Sequence, residues 1–259
     1  MAHQQARIDV HGSSIEYLKG GSGAPLLYLH SAGGEAAWLP FFELLAKHFT
    51  VYAPAAPGFA GSSGLEKIDT IEDLVFHTVD VMDALGLDEA SVVGLSLGGW
   101  LAAELAVHHP RRVRRLVLIS AVGLHVEGAP VADLFGVNPA GARQLIFRDP
   151  ESALARQMIS DTPSPDELEA ALKAREATAR IGWNPFLHDP KLRGRLYRVQ
   201  APTRIIWGDS DRLVPLAHGE AYRDGIERAD LKVVKRSGHA PPFEQPEETA
   251  KLVVEFLEQ

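Results

Sequence analysis

Apolar residues along this chain fall into two rhythms that take turns. Short continuous runs read as strands buried on both faces of a parallel sheet: Leu26-Leu27-Tyr28-Leu29-His30, Thr50-Val51-Tyr52-Ala53, Ser91-Val92-Val93, Val113 to Ser120, Thr203 to Trp207 and Leu231 to Val234. Between them apolar residues recur every three or four positions, which predicts helices around Trp38 to Leu45, over Ile71 to Leu85, Leu97 to His108 and Leu216 to Ile226, and from Pro246 onward. Gly86 and Pro110 stand where two of these helices must stop. Residues 7–18 read as two short strands around the turn His11-Gly12-Ser13, a hairpin at the start of the sheet. Strands alternating with helices imply an α/β protein with a mostly parallel, doubly wound sheet of about eight strands.

The alternation breaks between Leu124 and Trp183. Strand-like runs vanish, helix formers such as Glu167 to Ala174 take over, and Pro130, Pro139, Pro150, Pro163 and Pro165 divide the stretch into short helices. The expected organisation is a core of residues 1–123 and 186–259, with residues 124–185 as a helical unit inserted after strand six. An insertion at the carboxyl edge of the sheet lies over whatever chemistry that edge carries.

Composition narrows the classes of function. A chain of 259 residues that is 46% hydrophobic and 23% charged buries a full core. No apolar run approaches the ~20 residues that span a bilayer, so no membrane partner is expected. The stretch Met1 to Arg7 lacks the apolar centre of a secretory signal, which makes a cytoplasmic location the expectation. A net charge of -8 opposes binding to nucleic acid, and the basic cluster Arg111-Arg112-Val113-Arg114-Arg115 reads as a solvated rim at a helix end. With no cysteine there is neither a disulfide nor a thiolate nucleophile. His108-His109 and His188-Asp189 fit no metal-binding spacing, and Lys19 to Gly23 lacks the pattern of a phosphate cradle. No metal and no cofactor are expected, and the chain is expected to act on a small molecule as a monomer or homodimer.

The candidate chemistry centres on Gly94-Leu95-Ser96-Leu97-Gly98, where a short apolar run passes into a helix-forming segment. Gly-x-Ser-x-Gly at a strand-to-helix junction is the pattern of a nucleophile elbow, in which a tight turn needs glycine two residues before and after the serine. Such a turn lifts the Ser96 hydroxyl clear of the sheet and leaves the Leu97 N–H free at a helix start, where negative charge is stabilised. Alone, the pentapeptide also fits a turn whose serine merely caps the helix. Reactive groups in an open parallel sheet gather at the carboxyl ends of strands. Two late loops meet that condition: Gly208-Asp209-Ser210-Asp211 after the strand ending at Trp207, and Ser237-Gly238-His239 after the strand ending near Val234. Ser96, an aspartate and then His239 is the chain order an elbow implies, with His239 as general base and acid and the carboxylate orienting it.

These segments, with the strand end Leu29-His30-Ser31-Ala32, resemble the α/β-hydrolase family over nearly all of the chain outside Leu124 to Trp183. The resemblance implies an α/β-hydrolase fold with the insertion as a cap. It selects Asp211, three residues after Gly208, with Asp209 as the alternative. It also implies Ala32 as the second oxyanion donor beside Leu97, and His30 as a structural residue. Ser31 stands where that family usually has glycine, which puts a hydroxyl beside the site. Ser31, Phe135, Phe147, Trp183 and Val214 are the candidates for substrate contact. Among Arg143, Arg148, Arg156, Arg175 and Arg180, one turned inward is suited to a substrate carboxylate.

A serine nucleophile implies ester or lactone cleavage through an acyl-enzyme as the leading expectation. The alternatives are a carbon-carbon bond hydrolase of the meta-cleavage-product type, or a slow-turnover receptor for a small ligand. The carbon-carbon hydrolases typically carry Asn before the elbow serine and Trp after the histidine, and here Leu95 and Ala240 occupy those places.

Overall fold

The computed structural model describes residues 3–259; Met1 and Ala2, the start of the N-terminal stretch discussed above, lie outside the described residues. Eight strands form one sheet: β1 (His3–Val10), β2 (Ser13–Gly20), β3 (Pro25–Leu29), β4 (Thr50–Pro54), β5 (Ala90–Leu95), β6 (Val113–Ile119), β7 (Thr203–Gly208) and β8 (Ala229–Val234). Their spatial order is β1-β2-β4-β3-β5-β6-β7-β8, antiparallel at the β1, β2 and β4 ladders and parallel from β4 through β8.

The helices are α1 (Pro40–Leu45), α2 (Ile71–Ala84), α3 (Leu97–His108), α4 (Pro139–Ile146), α5 (Ala153–Met158), α6 (Pro165–Gly182), α7 (Leu192–Arg195), α8 (Leu216–Gly225), α9 (Pro241–Glu244) and α10 (Pro246–Leu257). The continuous apolar runs are explained by burial on both sides. Side chains alternate across a strand, so Leu26, Tyr28, Val93, Val117, Ile119 and Ile206 pack with α1 and α10, while Leu27, Leu29, Val92, Leu116, Leu118 and Ile205 face α2, α3 and α8.

The hairpin is longer than its apolar pattern predicts, pairing from His3 with Gly20 to Val10 with Ser13. At this edge the backbone ladder carries the strands, and exposed polar side chains conceal them in the sequence. Helix α1 begins at Pro40, so Trp38 precedes it rather than starting it.

Residues 124–185 contribute no strand to the sheet and hold α4, α5 and α6. Each of these helices opens on a side-chain cap: Asn138 to the Gly141 N–H, Ser152 to the Ala155 N–H and Ser164 to the Glu167 N–H. Pro139 and Pro165 do not break helices; they occupy first-turn positions, where the missing N–H costs nothing. That is why α6 runs for 18 residues, where the proline spacing predicts only short helices.

Candidate active site

Strand β5 and helix α3 meet at Ser96, whose backbone sits at φ 54°, ψ -110°, a strained conformation for a residue with a side chain. The crossing is very tight. A Cβ on Gly94 would lie 2.1 Å from the Gly98 carbonyl oxygen, and one on Gly98 would lie 2.0 Å from that of Leu29. Only glycine fits either place. Ser96 occupies the helix N-cap position without using its hydroxyl as a cap; the Oγ instead meets His239 Nε2 at 2.8 Å.

The loop after β7 supplies the carboxylate. Asp211 Oδ2 receives His239 Nδ1–H at 2.9 Å, and its Oδ1 accepts the Leu213 and Val214 N–H groups at 3.0 and 2.9 Å. Asp209 points elsewhere and accepts the Ser210 hydroxyl. Ser96 and His239 are 6% and 4% exposed, which keeps bulk water from competing for the hydroxyl proton. Ala32 and Leu97 both line the adjoining cavity, and among the described residues neither N–H has an acceptor. His30 Nδ1 donates to the Ser31 carbonyl at 2.7 Å and Nε2 accepts the Ala56 N–H at 2.9 Å, so this ring ties the end of β3 to the loop after β4.

Two groups not evident from the sequence hold the His239 loop. The Glu244 carboxylate accepts the Gly238 N–H at 2.6 Å, the Ser237 hydroxyl at 3.2 Å and, from the insertion, the Arg148 N–H at 2.8 Å. Burial pushes its carboxyl up, the bonds to Arg148, Gly238 and Ser237 oppose that, and the charge of Asp211 adds to it. Arg212, next to Asp211, donates to the carbonyls of Gln144, Phe147 and Arg148 at the end of α4. Neither residue belongs to a motif; they lie close in the chain to Asp211 and His239, and the path of α4 brings residues 144–148 against them.

The cavity over Ser96 measures about 570 Å³, within the range of small-molecule sites, and its walls are mainly apolar. Ser31, Phe135 and Phe147 line it. Trp183 and Val214 do not. Trp183 turns outward, 62% exposed, with its ring edge-on to Phe135. Val214 is wholly buried beneath the site, its carbonyl accepting the Trp207 indole N–H, and the preceding Leu213 lines the cavity in its place. Of Arg143, Arg148, Arg156, Arg175 and Arg180, Arg175 alone lines the cavity; Arg143 is buried in a paired bond with Asp161, and Arg180 faces Asp69. Among the described residues no group of three or more His, Cys, Asp or Glu side chains is arranged to hold a metal ion, and no helix is long and apolar enough to cross a membrane.

This fold and serine-centred geometry define a class, and comparison with known proteins agrees with it. The model of the alpha/beta hydrolase family matches residues 10–252, and the chain belongs to that family. It is similar to the 2-hydroxymuconate semialdehyde hydrolase of Pseudomonas sp. (strain CF600), with 32% identity across 92% of this chain and 88% of the relative. The 2-hydroxy-6-oxo-2,4-heptadienoate hydrolase of Pseudomonas putida is also 32% identical, across 92% of this chain and 90% of that one. Among solved structures, a meta-cleavage product hydrolase from Pseudomonas fluorescens superposes with a TM-score of 0.79 at 26% identity, covering 98% of this chain and 97% of its own. The chain is therefore a hydrolase with an α/β-hydrolase fold.

Proposed function

We propose that this hydrolase uses Ser96 to cleave the carbon-carbon bond beside a ketone in a small, largely apolar acid of the meta-cleavage-product type. The observation that carries the reading is the bonded series Ser96–His239–Asp211 at the floor of an apolar cavity with Arg175 in its wall. The named activities of the relatives favour this bond over the ester expected from the sequence. The helical insertion serves as the cap that closes the substrate chamber.

In the proposed reaction Ser96 Oγ adds to the carbonyl carbon as its proton passes to His239 Nε2, while Asp211 holds the imidazolium by its Nδ1–H. The N–H groups of Ala32 and Leu97 receive the oxyanion. Collapse breaks the bond to the adjacent carbon, which takes the proton from His239 and departs, leaving an acyl group on Ser96. His239 then removes a proton from water, which attacks the acyl carbon and releases a carboxylic acid. Arg175 holds the distal carboxylate of the substrate.

A second reading, ester or lactone cleavage by the same steps with an alkoxide leaving, is favoured by one observation: Leu95 and Ala240 occupy the places where the carbon-carbon hydrolases typically have Asn and Trp. The test is to supply 2-hydroxy-6-oxo-2,4-heptadienoate and p-nitrophenyl esters of graded length in parallel, with product analysis. Formation of acetate and the dienoate fragment at a kcat/KM above that for any ester supports the first reading. Turnover of esters alone replaces it with the second. In either case Ser96→Ala is expected to lower kcat by about 10⁴- to 10⁶-fold.

A further inference from the structure

The wall of the Ser96 cavity contains a carboxylate to which the reaction above gives no task. Glu35 accepts the Ser31 backbone N–H on Oε2 at 2.8 Å and the Ser31 hydroxyl on Oε1. Ser31 Oγ, having donated its proton, accepts the Gly33 N–H at 3.0 Å. The Ser31 carbonyl accepts the Gly34 N–H at 3.0 Å and His30 Nδ1–H at 2.7 Å. From residue 31 to 34, every backbone N–H therefore has a partner inside the loop except that of Ala32. The hydroxyl at position 31 is thus committed to the loop and is not a free donor for substrate.

A loop containing Gly33 and Gly34, the latter at φ +66°, has many conformations open to it. An anion beside a forming oxyanion also opposes the reaction electrostatically. Both points call for a compensating role, and the hydrogen bonds supply one. We infer that Glu35 is the positioning residue of the oxyanion hole: acting through both donors of Ser31, it fixes the 31–34 turn so that the unpaired Ala32 N–H faces the cavity. The serine at position 31 and the glutamate at 35 form one unit, in which the hydroxyl relays the carboxylate to Gly33. This inference rests on the serine-hydrolase reading and deepens it, and it holds whichever bond is cleaved.

The experiment measures kcat and KM for p-nitrophenyl acetate, inhibition by a phenyl trifluoromethyl ketone and by the corresponding alcohol, and melting temperature. It uses wild type, Glu35→Ala, Glu35→Gln, Ser31→Gly, the double variant Ser31→Gly/Glu35→Gln, and Ser96→Ala. The ketone forms an oxyanion on addition of Ser96, and the alcohol does not. Glu35→Ala is expected to lower kcat by about 10²-fold, the scale of one lost oxyanion donor, with KM within about threefold of wild type. The Ki of the ketone should rise by a matching factor while that of the alcohol stays put. Glu35→Gln keeps one acceptor where Ser31 needs two, so it should cost about tenfold in wild type and under about threefold beside Ser31→Gly, which needs only one.

Equal weakening of ketone and alcohol, or an equal cost of Glu35→Gln in both backgrounds, overturns the inference and leaves Glu35 as a loop brace. So does an unchanged Glu35→Ala in an assay that Ser96→Ala abolishes. Activity that survives Ser96→Ala, or a wild type that neither turns over the ester nor binds the ketone, overturns the serine-hydrolase reading itself and this inference with it.

Discussion

The backbone N–H of His239 donates to the carbonyl of Ile146 across 2.6 Å, so the last residue of α4 is bonded to the proposed catalytic base. This is one stitch of a seam that includes Glu244 with Arg148 and Arg212 with three carbonyls of the same segment. Residues 144–148 are thus attached directly to the loops that hold His239 and Asp211. Arg212→Ala removes the three bonds that the guanidinium makes to this segment and leaves the side chains of the proposed triad unaltered. The expected outcome is a kcat lowered by about 10- to 100-fold, because small displacements of a base are costly, with a smaller change in KM. Steady-state kinetics on the best substrate checks it; an unchanged kcat would show that the His239 loop holds its place unaided.

Arg175 supplies a direct test of the substrate's charge. Arg175→Gln should raise KM by about 10- to 100-fold for a carboxylate-bearing substrate, the scale of one charged hydrogen bond, and leave a neutral p-nitrophenyl ester within about threefold. Equal effects on both would assign Arg175 to packing over Phe135, whose ring its guanidinium overlies at 5.9 Å.

The elbow makes a steric prediction. Gly98→Ala would drive a Cβ into the Leu29 and His30 carbonyls, at 2.0 and 2.6 Å. Overpacking of this severity should cost at least ~2 kcal/mol, or about 4 to 8 °C in melting temperature, together with activity. Gly194→Ala is the control, since nothing lies within 4 Å of a Cβ there.

Glu104 gives a pH dependence remote from the site. Its side chain is 2% exposed on α3 and accepts the Trp100 indole N–H at 3.0 Å; His108 Nε2, at 3.6 Å, is beyond hydrogen-bond reach. Burial pushes its carboxyl up from 4.5 to about 7, against the pull of the Trp100 bond. The folded protein therefore holds this proton more tightly than the unfolded chain does. The resulting stability is fully present below pH 4.5 and is lost as pH rises from there through about 7. Glu104→Gln should remove that loss and exceed wild type in stability by about 1 to 3 kcal/mol at pH 8, measured by urea denaturation across pH 5 to 8. A wild-type curve with the same slope as the variant's would refute the assignment.

Much of the fold was legible in the sequence because burial on both faces leaves an unbroken mark. The runs at Leu26, Val92, Leu116 and Ile205 are apolar for reasons local to each strand, and the structure builds the sheet from them. The proposed triad was legible for a related reason. Ser96, Asp211 and His239 each sit within a few residues of a strand end, beside glycines at Gly94, Gly98, Gly208 and Gly238 that permit close approach. What could not be read depends on how loops turn back on themselves and how segments pack in three dimensions. Glu35 and Glu244 are ordinary glutamates until their loops close around them, and Trp183 and Val214 fail to reach the cavity through the way α6 and the Asp211 loop pack. The length of α6 was hidden by Pro165, whose meaning depends on whether it falls inside a helix or at its first turn.

Ser96 stands at an N-cap, where a serine ordinarily steadies its helix, yet it donates that capacity to His239 and accepts a backbone shape suited to glycine. The fold is therefore indifferent or hostile to the residue that the proposed chemistry needs. Ser96→Gly should be inactive and at least as thermostable as wild type. Stability measurements alone would therefore score this position as expendable, although the proposed reaction stops without it.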